Sequence, residues 1–518
     1  MQALRNTHLK PLVGNKYLWI ALAITSIFLA LDHLHPQRVG DGSEYYGMFF
    51  AWAENHRPWM TSAAFDAYGR LVSEGHISSM VGKEALINAF PQLRLGNTAD
   101  FNHFWLYSLL AFLASKIVPL AAANNDPHRA FLALHFLLLL CTTSVAFRLY
   151  RLNGLIAFSL MTFASPVLWF LDKVHTELFT YCLASLAVMF LLDKRYLMSA
   201  LMLAVASTQN PSFSLIAFVP FAYRLFISRA QPLTLTEVTL SIGTTLAVLV
   251  HPAYYFTRYG IPTPQLLVGG ASLGGNLSTF YIWLIDPDIG LFPNWLVGVA
   301  LLSVTICFAF KRKNFSLQGK KFPGLFFAIY FLVNFYAHSS TTNLNSGATP
   351  GVARYALWYL PAFFPLVFDA VSTFPRSARL MAPGLIGLAA LSVASILANN
   401  PRKPESYSTP TRLSYAIQSK ASFLYDPPPE VFLERYSGVG EAVYGYDPRG
   451  VLGPDCRKLL IYPGSGRGKI MVTPRCQVDE RKLTQVADLL AAHDTVGQPF
   501  YHRLDNREFS ESRLSSSK

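Results

Sequence analysis

Two acids and two glycines precede an aromatic stretch near the start of the chain, GDGSEYYGMFFAWAENHRPWMT at residues 40–61. A carboxylate placed at a surface can take the proton from an attacking hydroxyl, and Asp41 and Glu44 are candidates for that base. The same two residues also fit the N-cap and N3 positions of a helix, an arrangement that needs no catalytic role. A second cluster, LDKVHTE at 171–177, crowds Asp172, Lys173, His175 and Glu177 between apolar runs. Such charge density is costly near lipid unless the groups line a wet cavity, although an ordinary polar turn is the alternative. Arg354 stands without another acid or base of the Asp, Glu, Lys or Arg type in 338–368. It suits either a bidentate grip on a phosphate or simple snorkelling to an interface. His103 is a further candidate, at the mouth of an apolar segment.

The elements that must hold these residues are membrane spans. Of 518 residues 52% are hydrophobic and 14% charged, against about 25% charged in soluble domains. The 43 Lys+Arg exceed the 30 Asp+Glu, but the cations fall in short clusters between apolar runs, which fits membrane topology and not a nucleic-acid footprint. Spans are expected near 17–33, 130–148, 155–171, 177–192, 197–208, 211–227, 233–252, 291–310, 322–337, 355–372 and 378–397. The first lacks a small-x-small cleavage site and reads as a retained span, not a signal peptide.

With the N-terminus cytoplasmic, the inside loops carry sixteen cations and two acids, Asp193 and Asp369. The opposite loops, 35–129, 172–177, 251–290 and 338–354, carry ten cations and twelve acids, the asymmetry the positive-inside rule demands. Segment 104–120 fits this alternation only if it dips into the membrane or lies along it. Residues 44–55 read as an amphipathic interfacial helix, with Tyr45, Met48, Phe49 and Trp52 on one face. The fold class expected is thus an α-helical polytopic membrane protein of about eleven spans, residues 1–397, followed by a small α/β extracytoplasmic domain, 398–518. That domain should hold strands at Lys458–Tyr462 and Lys469–Val472, and a helix after Asp479 with Leu483, Val486, Ala487 and Leu490 inward. Cys456 and Cys476 are its cysteine pair, and a small domain in an oxidising compartment gains from joining them. Cys141, Cys182 and Cys307 fall in spans.

A first span, an Asp-containing outer loop with an interfacial helix, many further spans and an outer C-terminal domain resemble the GT-C superfamily of glycosyltransferases. Further matching segments follow in order: HFWLYSLL at 103–110, Ser165-Pro166 with His175-Thr176-Glu177, Gln209-Asn210-Pro211, and GVARYALWYLP at 351–361. The superfamily includes protein O-mannosyltransferases and lipid A aminoarabinose transferases, and the resemblance covers roughly residues 17–400. It implies a polyprenyl-phosphate sugar donor, inversion at the anomeric carbon, and an essential acid in the first loop. Carried over, that acid is Asp41; the commoner adjacent Asp-Glu pair is spread here by Gly42 and Ser43, so Glu44 stays open as the base. Arg354 and Lys173 would then hold the donor phosphate, while His175, Glu177 and His103 would orient sugar or acceptor.

The acceptor, whether glycan, lipid or protein, is not specified by these residues. The location implied is a bacterial cytoplasmic membrane, among its lipids, with the chemistry on the outer face. No metal site is expected from Cys or His spacing; some relatives use a divalent ion, so one is possible. The Gly- and aromatic-rich loop 251–290 suits a lid. GSGRGK at 464–469 lacks the Ser or Thr of a P-loop and reads as a hairpin turn. A transporter or lipid flippase is the competing class; it would favour internal repeats and broken spans at the midplane, whereas the notable charges here gather at one face.

Overall fold

The protein's structure, a computed structural model, describes residues 16–118, 126–228, 232–269, 279–311, 321–339, 341, 344, 351–373, 378–438, 448–463, 468–473, 475–493 and 497–505. The expected cytoplasmic cations Arg5, Lys10, Arg229, Arg312, Lys313, Lys320 and Arg376 lie outside these residues, as does part of the 251–290 loop. The chain forms two compact units. One comprises residues 1–277, 295–341 and 357–404, and the other 278–294, 342–356 and 405–518.

Among its described residues, the first unit is mainly helical, with a short ribbon, β1 (Arg94–Leu95) paired antiparallel with β2 (Thr98–Ala99). Its helices are α1 (Lys16–Asp32), α2 (Gly42–Asn55), α3 (Ser62–Glu74), α4 (Leu106–Ile117), α5 (Pro127–Phe163), α6 (Thr176–Leu192), α7 (Tyr196–Ser207), α8 (Ser212–Ala222), α9 (Leu235–Tyr259), α10 (Leu296–Lys311) and α11 (Lys321–Ser339). After the 3-10 helix Arg354–Phe363 come α12 (Phe364–Thr373) and α13 (Ala378–Ala398). By length and composition, four helical stretches among the described residues can cross a membrane: Pro127–Phe163, Leu235–Tyr259, Phe322–Ser339 and Arg354–Thr373. The remaining apolar helices are shorter. A 17-residue helix such as α6 rises about 25 Å, a few Å short of a typical hydrocarbon core.

Helix α6 is the centre of this unit, with every residue from Thr176 to Leu191 buried. Lipid supplies no hydrophobic drive between helices, so close approach through small side chains matters. Ala184, Ser185 and Ala187 on α6, and Ala200 and Ala204 on α7, are all fully buried. Lys194 in the left-handed region (φ +63°) closes the turn between these two helices.

Two expectations change. The stretches 130–148 and 155–171 join in one helical run, α5, broken only at Arg151 (φ +57°), and the second ends in a 3-10 turn, Pro166–Leu171, because Ser165 caps a new start there. Helix α2 does not lay its apolar face on lipid. It packs against α3 and α4, and Gly42 through Phe49 are all buried. Helix α4 has twelve residues and rises about 18 Å, too short to cross.

The second unit holds a four-stranded sheet, order β5-β3-β4-β6, of β3 (Gly450–Leu452), β4 (Lys458–Ile461), β5 (Ile470–Val472) and β6 (Phe500–Arg503). Strand β3 runs antiparallel to β4 and parallel to β5, and β4 runs antiparallel to β6. Since β3 lies between β4 and β5, the segment joining those two is not a hairpin turn. Its residues 464–467 lie outside the described ones. Helix α16 (Glu480–His493) packs Leu483 and Ala487 with Leu452, Leu459 and Ile461. Asp479 accepts the Arg481 amide at its start (3.0 Å). Cys456 and Cys476 form a disulfide, Cα–Cα 5.4 Å, at the edge of that core.

Helices α14 (Arg412–Lys420) and α15 (Pro429–Ser437) complete the unit and are tied to segment 286–289. Asp288 accepts from Arg435 Nε (2.9 Å) and the Thr411 amide (2.8 Å), with the Asp288 and Arg435 side chains 2% and 1% exposed. Removing one partner of a buried pair leaves a charge without compensation. Arg435→Ala should therefore lower the stability of this unit by about 3–5 kcal/mol, read as loss of its unfolding transition in thermal or denaturant scans.

Candidate active site

The chain enters α2 through Gly40 (φ +46°), a left-handed turn, which delivers Asp41 to the helix start. Asp41 occupies the N-cap position but its side chain makes no capping hydrogen bond, so the capping-box reading fails. The two carboxylates turn instead to one ring. His103 Nδ1 donates to Glu44 Oε2 (2.8 Å), and His103 Nε2 lies 3.2 Å from Asp41 Oδ2. On the other side of Asp41, His175 Nε2 is 3.4 Å from the same oxygen, and His175 Nδ1 pairs with Glu177. Five of the seven sequence candidates, Asp41, Glu44, His103, His175 and Glu177, thus form one connected cluster in the first unit.

Gly42, which separates the two acids, permits this. A Cβ there would stand 3.3 Å from the Val174 carbonyl, a tight contact that would press the start of α2 and the 172–175 turn apart by a few tenths of an ångström. Ser43 Oγ accepts the Val81 amide (3.2 Å), and Ser108 Oγ on α4 donates to the Tyr45 carbonyl (2.9 Å). The Tyr45 ring is fully buried, 5.4 Å from the His103 ring and 6.0 Å from the His175 ring. Helix α9 fixes His103 from another side, where Tyr255 Oη donates to the carbonyls of Phe101 and His103 (3.1 Å each). Three residues upstream, Asp100 accepts from Arg258 Nε (2.7 Å) and from the hydroxyls of Tyr254 and Tyr259.

The electrostatics separate the two acids. Burial pushes Glu44 above the usual carboxylate range despite the His103 charge beside it. Burial alone would keep the His103 ring neutral, but Asp41 and Glu44 together outweigh it and hold the ring well above its ordinary range. Asp41 is also the more open of the pair, its side chain 20% exposed against 11% for Glu44.

Lys173 is engaged elsewhere in the first unit, and Arg354 lies in the second. The Lys173 ammonium is buried, bonded to Asp172 (2.7 Å) and to the Pro401 carbonyl (2.7 Å), and lies 5.0 Å from the Trp169 ring centre. Trp169 Nε1 donates to the Lys403 carbonyl (2.9 Å). These contacts fasten the chain after α13 to the 171–177 turn and already neutralise the lysine. Arg354 belongs to the second unit, buried, with its guanidinium against the Tyr355 ring at 4.8 Å and one nitrogen donating to Tyr355 Oη (2.9 Å).

Sequence reasoning passed over Arg38. It lies three residues before Asp41, close enough to act on the charge of Glu44. Its Nε is buried without a hydrogen-bond partner, and among the described residues it forms no ion pair within 4 Å. A cation one turn ahead of a candidate base was a signal that could have found it. Sequence reading places Tyr254, Tyr255, Arg258 and Tyr259 in the loop 251–290; they lie instead on the last turns of α9, which runs to Tyr259, and from there they anchor the segment carrying His103.

The ligand atoms of Asp41, Glu44 and His103 lie within 4.8 Å of one another, so the fit of a divalent ion can be judged. An imidazole offers one nitrogen to an ion, whereas here each ring nitrogen faces a different carboxylate. As arranged, the trio does not fit a metal.

No family model matches the sequence, and no curated protein matches it. Among solved structures, the fold is similar to the crystal structure of ArnT from Cupriavidus metallidurans bound to undecaprenyl phosphate, with a TM-score of 0.42 and 15% identity over 74% of this chain. The match spans 64% of that protein's length, under two thirds.

If Lys173 is a structural anchor, Lys173→Met strands Asp172 in the interior and should cost about 3–5 kcal/mol. The double variant Asp172→Asn/Lys173→Met should regain most of that in a thermal-stability cycle.

Proposed function

We propose that the protein is an inverting membrane glycosyltransferase that moves a sugar from a polyprenyl-phosphate donor to an acceptor hydroxyl at the non-cytoplasmic face. The observation that carries this reading is the His103-bridged pair of carboxylates in the first loop, at the position that the GT-C-like order of segments marks for the base. The asymmetric charge of the loops supports a cytoplasmic N-terminus and an external C-terminal domain, 398–518.

In this reading Asp41 takes the proton from the acceptor hydroxyl as its oxygen forms a bond to the anomeric carbon. The bond from that carbon to the phosphate oxygen breaks, and the polyprenyl phosphate leaves with the electron pair. Asp41 suits the base better than Glu44, because it is the more exposed of the two, while burial pushes Glu44 toward its protonated form. His175, oriented through Glu177, stands where it can hold Asp41 or a sugar hydroxyl. Arg38, with an unsatisfied guanidinium nitrogen beside the pair, is the cation in this unit best suited to the departing phosphate.

The test is transfer by the purified protein, supplied with polyprenyl-phosphate sugars and candidate glycan, lipid and protein acceptors. Asp41→Asn should lower kcat by about 10²–10⁴-fold with donor KM little changed, and Glu44→Gln should cost less. Arg38→Gln should raise donor KM. Full activity in the Asp41→Asn variant, or no transfer from any donor, defeats the proposal.

A further inference from the structure

Two carboxylates with oxygens within 4.8 Å of each other repel, and in a partly buried site the repulsion reaches several kcal/mol at an effective dielectric near 20. Such a pair needs a cation. Arg38 acts only at a distance, while one side chain touches both acids. We propose that His103 is a positioning residue, the resident counter-cation of Asp41 and Glu44, which holds one carboxylate on each ring nitrogen and occupies the place that a divalent ion would otherwise take. The inference rests on the reading of Asp41 as the base.

The geometry separates this from a metal centre. The 2.8 Å contact with Glu44 has the length of a charge-assisted hydrogen bond, and Asp41 lies at 3.2 Å as an ion pair at the long end of hydrogen-bond reach. These contacts use both nitrogens in the ring plane, at a fixed spacing that a lysine ammonium does not impose. An ion bridging the same oxygens at 2.0–2.6 Å would need the ring edge to move out. The charged and titratable groups around His103 agree. Asp41 and Glu44 face its nitrogens, and the Tyr45 ring packs beside it. His175 and Glu177 lie beyond Asp41, Arg38 lies near Glu44, and Tyr255 donates to the His103 and Phe101 carbonyls.

The arrangement also suits the proposed step. When the ring is charged and both acids are ionised against it, the trio carries one net negative charge. Proton uptake by Asp41 brings it to zero as negative charge develops on the leaving phosphate. Glu44 remains bonded to His103 throughout, so the ring stays in position when its bond to Asp41 weakens.

The test is Mn²⁺ binding to the purified full-length protein in lipid nanodiscs, followed by the electron paramagnetic resonance signal of free Mn²⁺. Wild type should bind no Mn²⁺ that Asp41→Asn removes. His103→Gln should expose a site at least about tenfold tighter, since a unit positive charge has left the two carboxylates, and adding Asp41→Asn should abolish it. His103→Asn is the second neutral variant, and His103→Lys, which keeps the charge, should behave as wild type. Tighter Mn²⁺ binding in wild type than in His103→Gln makes His103 a ligand and overturns the proposal; so does equal binding, or none, in both. Binding needs no turnover. A Mn²⁺ site gained in His103→Gln without sugar transfer from any donor keeps the counter-cation and removes the glycosyltransferase reading, and transfer that depends on Asp41 with unchanged Mn²⁺ binding does the reverse.

Discussion

The first unit is organised around the mutual repulsion of two acids and the ring that relieves it. Asp41 and Glu44 are brought together at the start of α2, where neither could stay ionised at low cost without a neighbouring positive charge. His103 supplies it, and it comes from a part of the chain 59 residues beyond Glu44. Much of the surrounding structure serves to bring that ring to that place. Asp100 and Arg258 lock α9 to the preceding segment, Tyr255 holds the His103 backbone, and Tyr45 fills the space beside it.

The 171–177 turn shows how charges of one short motif divide between tasks. His175 and Glu177 point to Asp41, while Asp172 and Lys173 pair with each other and receive the chain emerging after α13. A buried ion pair adds little net stability over an apolar equivalent, but it demands that both partners be present. Its value here is register: it fixes where the turn sits, and through Gly42 and Val174 it fixes how closely α2 can approach.

The second unit follows the same physics on a smaller scale. Its sheet is short, and its core divides into two small clusters, Leu452, Leu459, Ile461 and Ile470 with Leu483 and Ala487 of α16, and Val451 and Leu460 with Phe432, Leu433 and Tyr436 of α15. A disulfide and a buried Asp288–Arg435 pair add constraints that a core of that size does not supply. The pair draws on segment 278–294, which precedes α10, so this unit is assembled from pieces that the chain visits three times.

The sequence by itself determined what short-range physics controls. Apolar runs and loop charges mark helices and an asymmetry between faces, because lipid requires internally bonded backbone and the cell biases loop cations. The period of residues 479–490 marks α16, and the cysteine count singles out one pair. The spacing Asp41-x-x-Glu44 marks a helix start but leaves two fates, capping or chemistry. Only the tertiary structure shows that Asp41 makes no capping bond and that His103, from distant sequence, reaches both acids. For the same reason Lys173 looked available in a local reading. Its partners at Asp172 and Pro401 include one 228 residues away, and no local pattern encodes a contact whose geometry is set by packed helices.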